Sequence, residues 1–156
     1  MRQKITTPEC HCKAFEHSFE FQHENRKKVL FKDKGRSTYL YINRSAAHLA
    51  KYRVDGGLIP GDGVKCDDLL LNCEKKRAYF IELKGSDIIR AIQQIDRSID
   101  QLKGDLSGFA FFARIVVTRV NVTHLEKNSQ YLRLERKIKS LCGNIEKKSR
   151  EFEETV

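Results

Sequence analysis

Lys65-Cys66-Asp67-Asp68-Leu69-Leu70-Leu71-Asn72 and, after a polar turn at residues 73–77, Ala78-Tyr79-Phe80-Ile81-Glu82-Leu83-Lys84 decide how this chain folds. Each is a short apolar run bounded by turn-forming residues, which reads as a strand, and the five-residue turn makes the two a hairpin. Upstream, residues 54–59 read as a further strand, closed by the turn Pro60-Gly61-Asp62-Gly63. Downstream, Gly85 and Ser86 break the strand, and Ser86 suits the N-cap of a helix. In that helix Ile88, Ile92, Ile95, Ile99 and Leu102 recur at three- and four-residue steps and form one apolar stripe, with Gly104 as its stop. Residues 109–120 are nearly all apolar and β-branched, as in a strand covered on both faces.

The flanks are read less sharply. Residues 129–142 form a helix ended by Gly143, with Leu132, Ile138 and Leu141 inward and Arg133, Arg136, Lys137 and Lys139 outward. Residues 144–148 make a last edge strand before an acidic tail. Towards the N-terminus, residues 29–32 and 39–42 are short strands around Asp33-Lys34-Gly35, and residues 45–52 are one or two helical turns. The spacing of Phe15, Phe19 and Phe21 fits a helix and a strand alike. The order predicts an α/β fold, a mixed central sheet flanked by helices. At 156 residues this is one domain. Residues 1–44 are an extension or first elements, 53–104 the core, and 105–156 a strand, helix and strand completing the sheet.

Hydrophobic residues make up 40% of the chain and charged residues 33%, a composition that excludes wholesale disorder. No apolar run approaches the roughly 18 residues of a membrane span. The stretch from Met1 to Cys12 lacks the apolar region of a secretory signal, so the five cysteines are expected to be reduced, intracellular (cytoplasmic) thiols. Thirty Lys and Arg against 21 Asp and Glu give a net charge of +9, which favours a polyanionic partner through counterion release. The basic residues gather as Arg26-Lys27-Lys28 with Lys32, Lys34 and Arg36, and on the outer face of the last helix. Cys10-His11-Cys12 with His17 and His23 invites a zinc reading, but Cys-x-Cys is poor spacing for structural zinc. Cys66, Cys73 and Cys142 read as small core residues.

The chemistry lies in the hairpin. Strand alternation puts Glu82 and Lys84 on one face and turns Leu83 into the core. Pairing across the turn brings either Asp67 or Asp68 opposite Glu82. Two carboxylates and a lysine then converge at the sheet edge, which suits metal-assisted hydrolysis of a phosphodiester. Mg²⁺ takes oxygen ligands and usually one or two carboxylates, and the Leu83 carbonyl lies between them as a further oxygen. A lysine two residues on holds the attacking water and offsets developing charge. Arg114 and Arg119 lie near an apolar strand; Arg114 requires a partner if buried, and Arg119 is placed to reach a phosphate.

Asp67 or Asp68 followed by Glu82-Leu83-Lys84, in strand-turn-strand-helix context, resembles the signature of the PD-(D/E)xK nuclease superfamily, the fold of many restriction enzymes and Holliday-junction resolvases. The resemblance covers about residues 54–102 and implies a restriction-endonuclease-like fold. It implies that Asp67 and Glu82, with the Leu83 carbonyl, bind Mg²⁺ or Mn²⁺ and that Lys84 positions the attacking water. Gln94, in the next helix, matches a glutamine found near the active site in that family. Asp67 is preferred to Asp68 because it shares a strand face with Leu69 and Leu71. Many members carry a further glutamate on an earlier helix, whereas residues 44–53 contain no acid. Glu16, Glu20, Glu24 or Asp55 is left to serve; without one of them the site holds a single metal ion. The expected activity is a DNA endonuclease of restriction-like, defence or resolvase type, with RNA as the alternative substrate. It is a homodimer if it cuts both strands. The rival readings are a catalytically silent nucleic-acid-binding or regulatory module and a nuclease subunit of a larger complex.

Overall fold

A computed structural model describes residues 14–33, 37–61, 63, 65–84, 87–118 and 125–156, except for the side chain of Lys84. The hairpin forms, with its first strand beginning at Asp68 rather than Lys65 and its turn shortened to residues 73–76 because Arg77 pairs with Asn72. Strand β5 (Asp68–Asn72) pairs antiparallel with β6 (Arg77–Lys84), from Asp68 opposite Ile81 to Asn72 opposite Arg77. Before them run β1 (Phe19–Glu24), β2 (Lys28–Lys32), β3 (Thr38–Ile42) and β4 (Leu49–Arg53). After them come helix α1 (Ile88–Leu102), β7 (Ala110–Val117), helix α2 (Ser129–Ser140), β8 (Ile145–Ser149) and β9 (Glu151–Thr155).

Six strands form one mixed sheet in the order β1-β4-β5-β6-β7-β8, antiparallel as far as β6 and parallel from β6 to β8. α1 supplies the crossover that a parallel β6–β7 pair requires. A second sheet, β2-β3-β9, packs on the opposite face. The large sheet is therefore buried on both sides. Leu69, Leu71, Ala78, Phe80, Ala113 and Ile115 meet the apolar stripe of α1 and Leu134 and Ile138 of α2. Leu70, Tyr79, Ile81, Leu83, Phe112 and Val116 meet Phe31, Tyr39, Tyr41 and Phe152 of the second sheet. Arg114 of β7, 2% exposed, joins the two sheets. Its Nε and Nη2 donate to Glu154 at 2.8 and 3.1 Å, and its Nη1 donates to Asn144 Oδ1 at 2.7 Å. The partner its burial demanded is thus a residue of the acidic tail.

Several expectations are corrected. Residues 45–52 are not helical, because β4 occupies 49–53 between β1 and β5. Leu49, Ala50 and Tyr52 are all buried, and two buried faces erase the alternation that marks a strand. Residues 54–59 are consequently a turn rather than a strand: the N–H groups of Gly57 and Ile59 both donate to the Val54 carbonyl, at 3.1 and 3.0 Å. Gly57 is required there, since a Cβ would lie 2.3 Å from the Arg53 carbonyl oxygen. α1 ends at Leu102 with Lys103 as its C-cap, next to Gly104 as expected; the chain then tightens into a 3-10 turn over Lys103–Leu106 and reverses at Gly108, where φ is +88°. In α2 it is Leu134, not Leu132, that is buried with Ile138, and Leu141 packs partly buried against the same core. Lys137 turns towards α1, 2.5 Å from Asp96 and 2.7 Å from Asp100. The acidic tail is β9, parallel to β3.

The cysteines divide. Cys66 is a free, buried core thiol; Cys142 is free but exposed, and Cys73 is disulfide-bonded rather than reduced. Cys10, His11, Cys12, Lys34, Arg36, Ser86 and Arg119 lie outside the described residues. Asp87 caps α1, its side chain accepting from the Arg90 N–H. Among the described residues no helix is long and apolar enough to cross a membrane.

Candidate active site

Where the β5–β6 hairpin opens, two acids hold each other's strands. The Asp67 N–H donates to Glu82 Oε2 at 2.9 Å, and the Leu83 N–H donates to Asp67 Oδ2 at 3.0 Å. This reciprocal clasp follows from register: Asp68 faces Ile81, so the next pair outward is Asp67 with Glu82. Both carboxylates leave the sheet on the α1 side, and Leu83, 5% exposed, enters the opposite core as expected. Glu82 is fully buried and Asp67 half-buried. Burial, with the charges of Glu82 and Asp67 adding to it, pushes the neighbouring Cys66 thiol well above its ordinary range.

Asp68 is turned the other way. It lines a cleft of about 390 Å³ with Ser18, Phe19, Glu20, Lys51, Arg53 and the Gly56-Gly57 turn. Burial raises its carboxyl to about 6; Lys51 opposes the rise, while Asp67 and Glu20 reinforce it. The choice the hairpin left open is therefore made by strand alternation, and Asp67 is the acid beside Glu82.

The segment entering β5 is braced from α1. Gln94 Nε2 donates to the Lys65 carbonyl at 3.0 Å. The Cys66 N–H donates to Ser98 Oγ at 2.9 Å, and that hydroxyl donates to the Gln94 carbonyl at 2.7 Å. From the other side the Val54 N–H donates to the Asp67 carbonyl at 2.9 Å. Gln94 thus positions the strand that carries Asp67. Lys65, only 3% exposed, donates Nζ to the carbonyls of Ile59 (2.9 Å) and Gly61, with Asp55 Oδ1 at 3.5 Å. Ser98 and Lys65 were missed in the sequence. Ser98 had left a signal, a small polar residue four positions after Gln94 on the apolar side of α1.

The remaining sequence candidates are dispersed. The backbone of Lys84 pairs with Val117 at the end of β6. Glu20 belongs to the Asp68 cleft, 2.6 Å from Lys51, and Glu24 pairs with Arg26. Glu16 is exposed. Asp55 pairs with Lys65, its Oδ1 3.5 Å from the Lys65 Nζ. Of the histidines, His17 meets Ser18 Oγ at 2.8 Å, and His23 stacks on His48 at 4.3 Å.

Among the described residues no group of three or more His, Cys, Asp or Glu is placed to hold a metal ion. At the clasp two carboxylates meet beside the main chain of Leu83. That all-oxygen donor set fits Mg²⁺ or Mn²⁺, which take one or two carboxylates and complete the shell with water and phosphate oxygens. On the same side of the sheet, α2 presents Arg133, Arg136 and Lys139 to solvent, and the adjoining β8 turns Lys147 over the Tyr131 ring; Lys148 is exposed on the opposite face, over Phe152. Compared with protein-family models, with curated proteins and with solved structures, the chain matches none.

Proposed function

We propose that this protein is a metal-dependent nuclease, an endonuclease acting on DNA with a restriction-endonuclease-like arrangement of its sheet. The observation that carries the reading is the clasp of Asp67 and Glu82 across the open end of the hairpin, two residues before Lys84. Asp67, Glu82 and the Leu83 carbonyl would hold the divalent ion. When bound, that ion neutralises charge on the phosphoryl oxygens and makes a bound water more acidic. Lys84 orients the attacking water and offsets negative charge as the phosphate is attacked. Gln94 and Ser98 keep Asp67 in place through the main chain of residues 65 and 66. The exposed Lys and Arg side chains of α2 and β8 attract the nucleic-acid backbone.

The test is incubation of the purified protein with linear, circular and branched DNA and Mg²⁺ or Mn²⁺, beside Glu82→Gln and Lys84→Ala. Metal-dependent cleavage that both variants lose supports the nuclease, and the preferred substrate names its subclass. A second reading, a silent nucleic-acid-binding module, is favoured by the full burial of Glu82 and by main-chain bonds to both carboxylates. DNA binding of equal strength in all three proteins, with no cleavage under either metal, would establish that reading in its place.

A further inference from the structure

The cleft on the far face of β5 is built differently from the clasp. Its floor is the half-buried carboxylate of Asp68, which makes no hydrogen bond or ion pair with any described residue. Phe19 stands at the rim, 48% exposed, one of two large apolar side chains so exposed among the described residues. Arg53 donates its Nε to the Asp55 carbonyl at 3.0 Å, and among the described residues its guanidinium has no other side-chain hydrogen bond, which leaves its remaining N–H groups to a ligand. Lys51 is held by Glu20 at 2.6 Å. Two acids and two bases leave the cleft near neutral, which disfavours a bare phosphate or metal ion. An acceptor at the floor, an aromatic face at the rim and a cation at one side fit a planar ligand with N–H donors at one edge and a phosphate at the other.

We propose that this cleft binds a guanine nucleotide, with the base stacked on Phe19, its N1–H and 2-amino group donating to Asp68, and its phosphate at Arg53. Guanine alone among the common bases presents two adjacent N–H donors to one carboxylate. The cleft volume of about 390 Å³ admits one nucleotide. The same chemistry is presented by a free nucleotide and by an unpaired guanosine within a strand. The site stands on the opposite face of β5 from Asp67 and does not depend on the nuclease reading.

The experiment is calorimetric titration of the full chain in EDTA with GMP, IMP, AMP, CMP and the trinucleotide TGT. GMP is expected to bind about tenfold more tightly than IMP, which lacks the 2-amino group, and more tightly still than AMP and CMP. Asp68→Asn removes the preference for GMP over IMP. Phe19→Ala, an exposed position that leaves the fold intact, weakens every nucleotide about tenfold. TGT binding more tightly than GMP identifies a strand as the source, and equal binding identifies the free nucleotide. Equal affinity for GMP, IMP, AMP and CMP overturns the proposal, as does no binding of any probe at millimolar concentration. Glu82→Gln keeps guanine binding while losing cleavage, so failure of the nuclease reading and failure of this one are told apart.

Discussion

Replacing Asp68 by Asn isolates the electrostatics of the cleft floor. Burial, opposed by Lys51 and reinforced by Asp67 and Glu20, lifts this carboxyl from 3.8 to about 6. The folded protein therefore binds the Asp68 proton more tightly than the unfolded chain does. Each pKa unit corresponds to about 1.4 kcal/mol, so a rise of this size bounds the effect at about 3 kcal/mol. Water reaching the half-buried side chain reduces it to about 1–2 kcal/mol. The sign follows from the raised value. The stabilising contribution of the protonated group is complete below about pH 4 and is lost as the pH rises through about 6, leaving a penalty at neutrality. Asn cannot ionise and escapes that penalty. Asp68→Asn is thus expected to be about 1–2 kcal/mol more stable than the parent near pH 7.5, about 3–6 °C in Tm for a chain of this length. Near pH 4 the two should melt together. The assay is thermal unfolding in EDTA at both pH values. A Tm difference of the same size at both, or a variant less stable at the higher pH, would refute the reasoning.

Ser98→Ala leaves the buried Cys66 N–H without its acceptor and should cost about 1–3 kcal/mol, read as a lower urea midpoint at unchanged slope. An unchanged midpoint would mean that the brace from α1 carries no load. Glu82→Ala removes the acceptor of the Asp67 N–H and empties buried space, for about 2–4 kcal/mol, whereas Glu82→Gln keeps a carbonyl acceptor and should lose less than half as much. Equal losses in a denaturant titration would show that the clasp contributes nothing. Gly143→Ala places a Cβ 1.5 Å from the Phe111 carbonyl oxygen and is expected to cost more than about 3 kcal/mol or to prevent folding. Soluble protein with the parental Tm would contradict that close approach.

The hairpin and α1 were legible because their signals are local. A short polar turn between two apolar runs sets the antiparallel pairing, and isoleucines at three- and four-residue steps mark one buried helix face. β4 was not legible, because a strand buried on both faces loses its alternation, and Leu49, Ala50 and Tyr52 then pass for a helical turn. The tail became a strand only because β3 offered a parallel edge and Arg114 a buried cation for Glu154. Leu134 rather than Leu132 faces the core because the phase of α2 is set by its contact with α1.

For the candidate site, the chain alone determined that Glu82 and Leu83 leave the sheet on opposite faces and that an acid at position 67 or 68 lies across from Glu82. These follow from a period of two and one turn length. Which acid that is depended on the register of β5 against β6, where a slip of one residue would exchange the two faces. That Gln94 and Ser98 grip the main chain of residues 65 and 66 depended on packing α1 against the sheet. Residues 18–20 meet Asp68 in a cleft because β1 pairs with β4, and β4 with β5. Such juxtapositions join segments some 30 to 50 positions apart. Local preference cannot encode them, because they arise only when both faces of one sheet are buried together.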